Sequence, residues 1–134
     1  REEGENNQNL FNFMFRSLNW YDNQSFCNNF HVKFLIELTR YIGFYPNINE
    51  DEDVYFNLES GSSSDVKPLA KYIDKDEFKI FKKILGMEFE DLNYINMNND
   101  SRSRMLSYLI DYYSLHLQMF KTPKSINVFR EIFK

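Results

Sequence analysis

Cys27 and His31 lie four residues apart in a segment with helical spacing, so they would project from one face of a helix. A thiolate and an imidazole could bind a metal or act as nucleophile and base, and a metal site would also need His116 and a carboxylate. Structural zinc needs four closed ligands, and a reactive thiol needs a lowered pKa. The sequence shows neither, so we expect Cys27 to pack as a small apolar side chain and His31 to lie near the surface. A small metal- or thiol-dependent enzyme stays open as an alternative.

Other patterns that carry chemistry are missing from the sequence. It has no glycine-rich phosphate loop, no His-Glu-x-x-His and no Gly-x-Ser-x-Gly. The acidic stretch 50–53 lacks the alternating ligands, central glycine and closing glutamate of a calcium loop, which favours a solvated loop. Most of the 14 Phe and 9 Tyr fall at core spacing, although Phe44, Tyr45, Tyr55 and Phe56 flank this stretch. The sequence therefore predicts no enzyme and no metal cofactor.

The length and charge of the chain limit its partners. It has 134 residues and a formal net charge of −4, and the size is that of one domain. Residues 45–65 hold six acidic and no basic residues, whereas Lys121, Lys124, Arg130 and Lys134 form a basic cluster. A single cysteine excludes an internal disulfide framework, and no apolar run is long enough for a membrane span.

We predict that this chain alone binds single-stranded DNA weakly. Affinity for phosphates rises with the number that a basic face neutralises, and this chain is acidic overall. Fluorescence anisotropy of a labelled oligonucleotide at rising salt measures the affinity. Submicromolar binding that resists salt would contradict the prediction.

The spacing of apolar residues predicts a mainly α fold in one domain, residues 1–134. It is a bundle of about five helices with a small irregular or β-hairpin insertion near 47–66. The predicted helices cover about 8–21, 24–42, 75–85 and 100–119, with a short helix or turn near 89–95 and a last short helix that Ser125 caps. Within the insertion, 54–58 could form one strand, and 60–64 is turn-like.

Residues of known end preference mark the helix boundaries. Gly43 stands where a left-handed residue ends a helix, and Pro46 prevents the helix from resuming. Asp74 followed by Glu77 fits a capping box, and Gly86 is placed to end that helix. Asn98, Asn99 or Asp100 can cap the helix near 100–119.

Three stretches of the chain contain motifs that belong together. Residues 34–46 contain Arg-Tyr-Ile-Gly-Phe-Tyr-Pro, and they resemble the leucine-rich helix followed by Leu-Gly-Tyr/Phe-x-Pro in the DNA repair protein RecO family. Residues 109–117, with Asp-Tyr-Tyr-Ser-Leu-His, and then 124–129 resemble its closing helix and Leu-Lys-Ser motif, in the variant of the Bacteroidetes branch. Between them, 54–61 resemble the segment that reads Cys-Phe-Asp-Leu-x-x-Gly in many members.

The resemblance implies the helical C-terminal domain of a recombination mediator, without the family's N-terminal OB-fold. Its implied partners are the acidic, Phe-terminated tail of single-strand-binding protein, RecR, and DNA mainly through the missing domain. The implied location is the bacterial cytoplasm, associated with the nucleoid. Many members bind zinc through four cysteines, but this chain has none between Gly43 and Ser64, so we expect side-chain packing alone to hold a loose insertion.

A tail of this kind needs an apolar pocket for its aromatic end and cations for its carboxylates. The predicted partner-binding residues are Lys33, Leu35, Leu38, Arg40, Ile42, Lys121 and Lys124. The predicted structural motif comprises Gly43, Phe44, Pro46 and Ser125. A helical scaffold for an unknown partner is the other alternative.

Overall fold

The computed structural model describes residues 29–116. In chain order the elements are helix α1 (Phe30–Ile42), strands β1 (Tyr55–Asn57), β2 (Ser62–Ser64) and β3 (Tyr72–Ile73), helix α2 (Lys75–Leu85), a 3-10 helix (Phe89–Tyr94) and helix α3 (Asn99–His116). This part of the chain is mainly helical, as predicted. The helices predicted at 8–21 and after Ser125 lie outside the described residues, so the count of five helices stays a prediction.

The ends of the described helices agree closely with the sequence pattern. α1 ends at Ile42, as predicted, but it begins at Phe30 after a turn at Asn29, so the predicted start at about 24 is wrong. α2 has the predicted bounds. α3 begins at Asn99, and the Asn98 side chain accepts a hydrogen bond from the Ser101 backbone N–H at 2.8 Å. Its predicted end at 119 lies outside the described residues.

The predicted capping box at α2 is wrong in one half. The Asp74 carboxylate caps the helix by accepting from the Lys75 N–H at 2.6 Å. The Glu77 carboxylate does not return to the cap, because it accepts from the Tyr108 hydroxyl at 2.6 Å and from the Arg104 guanidinium. Both donors lie on α3, so a contact between helices replaces a local one.

The insertion is a three-stranded antiparallel sheet in the order β2-β1-β3. Phe56 in β1 is opposite Ser63 on one side and Ile73 on the other. The turn predicted over 60–64 is therefore wrong for 62–64, which form β2, and β3 was not predicted. Serine has little strand preference, and β3 has only two residues, so tertiary pairing decides both strands.

Side-chain hydrogen bonds, and not packing alone, hold the insertion in place. The Ser63 hydroxyl donates to the Asp53 carboxylate at 2.6 Å and accepts from the Asn49 backbone N–H at 2.7 Å. Asp53 and Ser63 are both only 5% exposed. The Lys82 ammonium donates to the backbone carbonyls of Asp51 and Asp53, each at 3.0 Å. The expectation of a loose insertion held only by packing is thus wrong, because short polar residues form a network that the apolar pattern does not show.

The main core lies between the inner face of the sheet and the three α-helices. Phe56 is fully buried, and its ring centroid lies 5.1 Å from that of Phe81 and 5.7 Å from that of Tyr112. A smaller apolar cluster of Phe30, Phe34 and Leu92 joins α1 to the 3-10 helix. Within the described part of the chain, no helix has the length and apolar character needed to cross a membrane.

Candidate protein-binding site

The end of α1 is a left-handed corner, as predicted. Gly43 has φ of 100°, and its N–H and that of Phe44 both donate to the Thr39 carbonyl at 3.0 Å. The Phe44 ring then packs edge-on against Tyr112 and Tyr113 of α3, each at 5.4 Å between centroids. The Tyr112 hydroxyl donates to the Phe44 carbonyl. The corner therefore fixes the C-terminal end of α1 against α3.

We expect Gly43→Val to lower the free energy of unfolding by about 1–2 kcal/mol, because an L side chain strains a left-handed backbone. A Cβ at this position meets no atom within 4 Å, so backbone strain, and not a clash of the Cβ, is the expected cause of the loss. Thermal or urea unfolding of the two proteins measures the difference. Equal stability would contradict the left-handed assignment.

The two histidines of the described part have structural environments. His116 Nε2 lies 2.7 Å from the Leu58 carbonyl, and its ring stacks on Phe44 with 5.5 Å between centroids. His31 is half-buried, and burial lowers its pKa. Cys27 lies outside the described residues. Within residues 29–116, no three His, Cys, Asp or Glu side chains converge to hold a metal ion.

Two of the predicted partner-binding residues are buried. Leu35 is fully buried in the main core, and Lys33 is only 3% exposed. The Lys33 ammonium donates to Glu37 at 2.9 Å and to the Ile84 carbonyl at 2.8 Å. Its cation satisfies a carbonyl at the end of α2, so a partner cannot reach it without a rearrangement. Lys33 and Leu35 are corrected to structural residues.

Three predicted residues do reach the surface at the C-terminal end of α1. Leu38 and Ile42 are partly buried and four residues apart, so they share one helix face. Arg40 is 53% exposed in its side chain; it donates to Glu37 at 3.1 Å and lies 4.0 Å from the centroid of the Tyr45 ring. Burial raises the pKa of Tyr45, and the charge of Glu37 adds to this, so the ring stays neutral. Lys121, Lys124 and Ser125 lie outside the described residues.

Tyr45 is the member of this surface that was not assigned to the site. Sequence analysis noted Tyr45 only as an aromatic residue flanking the acidic stretch; its position two residues after Gly43 was the further signal, because a helix that ends at a fixed corner also fixes the next side chains. Pro46 is buried, consistent with its predicted role in the structural motif. Arg40 is two residues from Leu38 and from Ile42, so it projects from a different face of the helix, and the adjacent Arg40 and Tyr45 side chains are named the α1 surface below.

The buried Tyr112 and Tyr113 and the partly buried Tyr108 lead us to expect a loss of stability at alkaline pH. Burial raises the pKa of Tyr112, Tyr113 and Tyr108 above the ordinary value, with a further contribution from Glu77 at Tyr108. In the unfolded chain these phenols ionise near pH ~10, while the folded state retains their protons. The folded state then binds more protons, so stability falls as pH rises above ~10. Urea unfolding from pH 8 to 11 measures this slope, and Tyr112→Phe should flatten it; an unchanged slope in that variant would contradict the assignment.

The sequence comparisons agree on one family. The family described as Recombination protein O C terminal matches residues 2–126. Three proteins named DNA repair protein RecO are similar to this chain. The one from Flavobacterium psychrophilum is 37% identical over 98% of this chain and 55% of its own length, and the one from Christiangramia forsetii is 40% identical over 99% and 55%. The one from Bacteroides fragilis is 36% identical over 99% of this chain and 56% of its own length. The chain thus spans about half the length of these relatives. No solved structure matches it. With a family match over nearly its whole length and these identities, the chain belongs to the RecO C-terminal family.

Proposed function

We propose that this chain is a non-catalytic, protein-binding domain of a recombination mediator in DNA repair. Relatives named DNA repair protein RecO support the biological process. The spans of this chain and of its relatives leave about half of each relative unmatched, so strand annealing and the loading of recombinase belong to the proposal for the whole protein. Such a role places the protein in the bacterial cytoplasm, with its DNA.

The observation that carries the binding role is the α1 surface. It combines the exposed Arg40 guanidinium with the half-buried Tyr45 ring, whose centroid is 4.0 Å away, next to the Gly43 corner. Only the Nε of Arg40 donates to Glu37, whereas a guanidinium has five N–H donors. A carboxylate at the end of an acidic peptide could accept from the other donors while an aromatic side chain packs beside the Tyr45 ring.

We therefore propose that the α1 surface binds the acidic, Phe-terminated tail of single-strand-binding protein. Lys121 and Lys124 are proposed to add positive charge to this site. RecR and DNA are proposed as further partners of the whole protein, with DNA mainly at the part of the relatives that this chain does not span. We propose that no metal or other cofactor takes part.

Titration of the chain with a fluorescent, acidic peptide that ends in Phe tests this proposal. We expect Arg40→Glu to weaken binding by roughly tenfold or more, because it replaces an attraction to carboxylates by a repulsion. Lys83 is at an exposed position of α2, so Lys83→Glu is the control that makes the same change in charge. This variant should bind the peptide like the parent. Retained binding in Arg40→Glu would move the site elsewhere. No binding by the parent would favour a scaffold for another partner.

A further inference from the structure

Two neighbouring side chains hold the Arg40 guanidinium. Its Nε donates to Glu37 Oε1 at 3.1 Å, and its Cζ lies 4.0 Å from the centroid of the Tyr45 ring. Glu37 precedes Arg40 by three residues on α1, so the two side chains are neighbours on the helix surface. Together the two contacts restrict the conformations of a long side chain that is otherwise free to rotate.

The hydrogen bond to Glu37 uses only one end of the guanidinium. The remaining N–H donors of an arginine lie on its two Nη nitrogens. Within residues 29–116, no carboxylate or carbonyl accepts from either Nη of Arg40, and the side chain is 53% exposed. A pair of Nη donors matches the two oxygens of one carboxylate. The structure therefore orients Arg40 and leaves the donors that a carboxylate ligand needs.

Glu37 is placed to hold this arginine without blocking it. The Glu37 side chain is 14% exposed, so a ligand that approaches the surface meets the guanidinium more readily than the carboxylate. Its two oxygens have separate partners, because Oε1 accepts from Arg40 and Oε2 accepts from the buried Lys33 at 2.9 Å. A ligand on the Nη nitrogens thus has no hydrogen bond of Glu37 to displace.

We propose that Glu37 is a positioning residue for the α1 surface, and that by holding Arg40 it strengthens the binding of a carboxylate ligand. This inference rests on the proposed function and deepens it. A negative charge close to an anion site would by itself weaken binding through repulsion. Here the ordering of Arg40 outweighs the repulsion, because an arginine that is ordered in advance loses less conformational freedom when the ligand binds.

Titration with the acidic, Phe-terminated peptide separates positioning from repulsion. Glu37→Ala should weaken binding about threefold to tenfold, which is the cost of ordering one long side chain on binding. Glu37→Gln should bind within about twofold of the parent, because its amide oxygen can still accept from the Arg40 Nε. In an Arg40→Ala background, Glu37→Ala should cause no further weakening, because the effect passes through Arg40. Circular dichroism confirms that each variant is folded, since Glu37→Ala also removes an acceptor from the buried Lys33.

Arg40→Lys tests the same idea by a change at an exposed position, where the fold is not at risk. Lysine keeps the positive charge, but its single nitrogen cannot offer separate ends to Glu37 and to the ligand. It should weaken binding by about threefold or more, as Glu37→Ala does. Binding equal to that of the parent would overturn the proposal, because charge alone would then be sufficient.

Exchange of the Arg40 Nε–H with water, measured by NMR without peptide, tests the contact itself. We expect slow exchange in the parent and in Glu37→Gln, and faster exchange in Glu37→Ala, because only the last variant lacks an acceptor. Equal exchange in all three proteins, or tighter peptide binding by Glu37→Ala, would overturn the positioning role and leave the proposed function standing. A parent that does not bind the peptide would overturn both proposals, so the two failures are distinguishable.

Discussion

Gly61→Val is expected to lower the free energy of unfolding by about 2–5 kcal/mol, because backbone strain adds to overpacking. Gly61 has φ of +74°, and a Cβ there would lie 3.1 Å from the Tyr112 hydroxyl oxygen and 3.9 Å from His116. The Tyr112 hydroxyl donates a hydrogen bond to the Phe44 carbonyl, so it cannot move without disturbing the corner at the end of α1. Chemical unfolding followed by circular dichroism measures the change.

Two further variants separate the causes of this loss. Tyr112→Phe removes the hydroxyl, so the double variant Gly61→Val/Tyr112→Phe should lose less than the two single losses combined. Gly86→Ala is the control, because Gly86 has φ of −90° and a Cβ there stays 3.8 Å from its nearest neighbour. Additive losses would show that the valine side chain at position 61 does not clash with the Tyr112 hydroxyl.

Lys33→Ala is expected to cost about 2–4 kcal/mol, because it removes a buried cation from its partners together with an apolar stem. The Ile84 carbonyl would lose its side-chain donor, whereas Glu37 would keep its hydrogen bond from Arg40. The loss should stay below that for an ion pair fully buried from solvent, since the Glu37 side chain is 14% exposed. Urea unfolding measures it.

Arg40→Ala is the matched control on the same helix. Its ion pair with Glu37 is exposed, so the change should cost no more than about 1 kcal/mol. Arg40→Ala should instead weaken peptide binding, and Lys33→Ala should not do so in the fraction that stays folded. The reverse pattern would return Lys33 to the binding site and contradict its assignment as a structural residue.

Helix positions could be predicted because the deciding interactions are local. The 3.6-residue spacing of apolar side chains and the end residues Gly43 and Asp74 act within one or two turns. The sheet was predicted poorly for the opposite reason. Ser62–Ser64 becomes a strand only because Asn47 and β1 lie on either side of it, and Asp53 accepts the Ser63 hydroxyl.

The candidate site shows the same division between local and distant interactions. Arg40 reaches the surface, and the Gly43 corner is fixed by its own sequence. Lys33 looks equally accessible in the sequence, because a lysine on a helix is usually solvated. It is buried because the end of α2, 51 residues away in the chain, presents the Ile84 carbonyl to it.

The sequence by itself determined where α1 ends, both bounds of α2, the left-handed corner and, through the order of its motifs, the family. These depend on backbone preferences and on short-range periodicity. Only the tertiary structure decided which cations are exposed, that 62–64 pair as a strand, and that residues 65–71 present apolar and charged side chains to solvent. Each of these results depends on residues distant in the chain, and their meeting is settled by packing and by the need to satisfy buried polar groups.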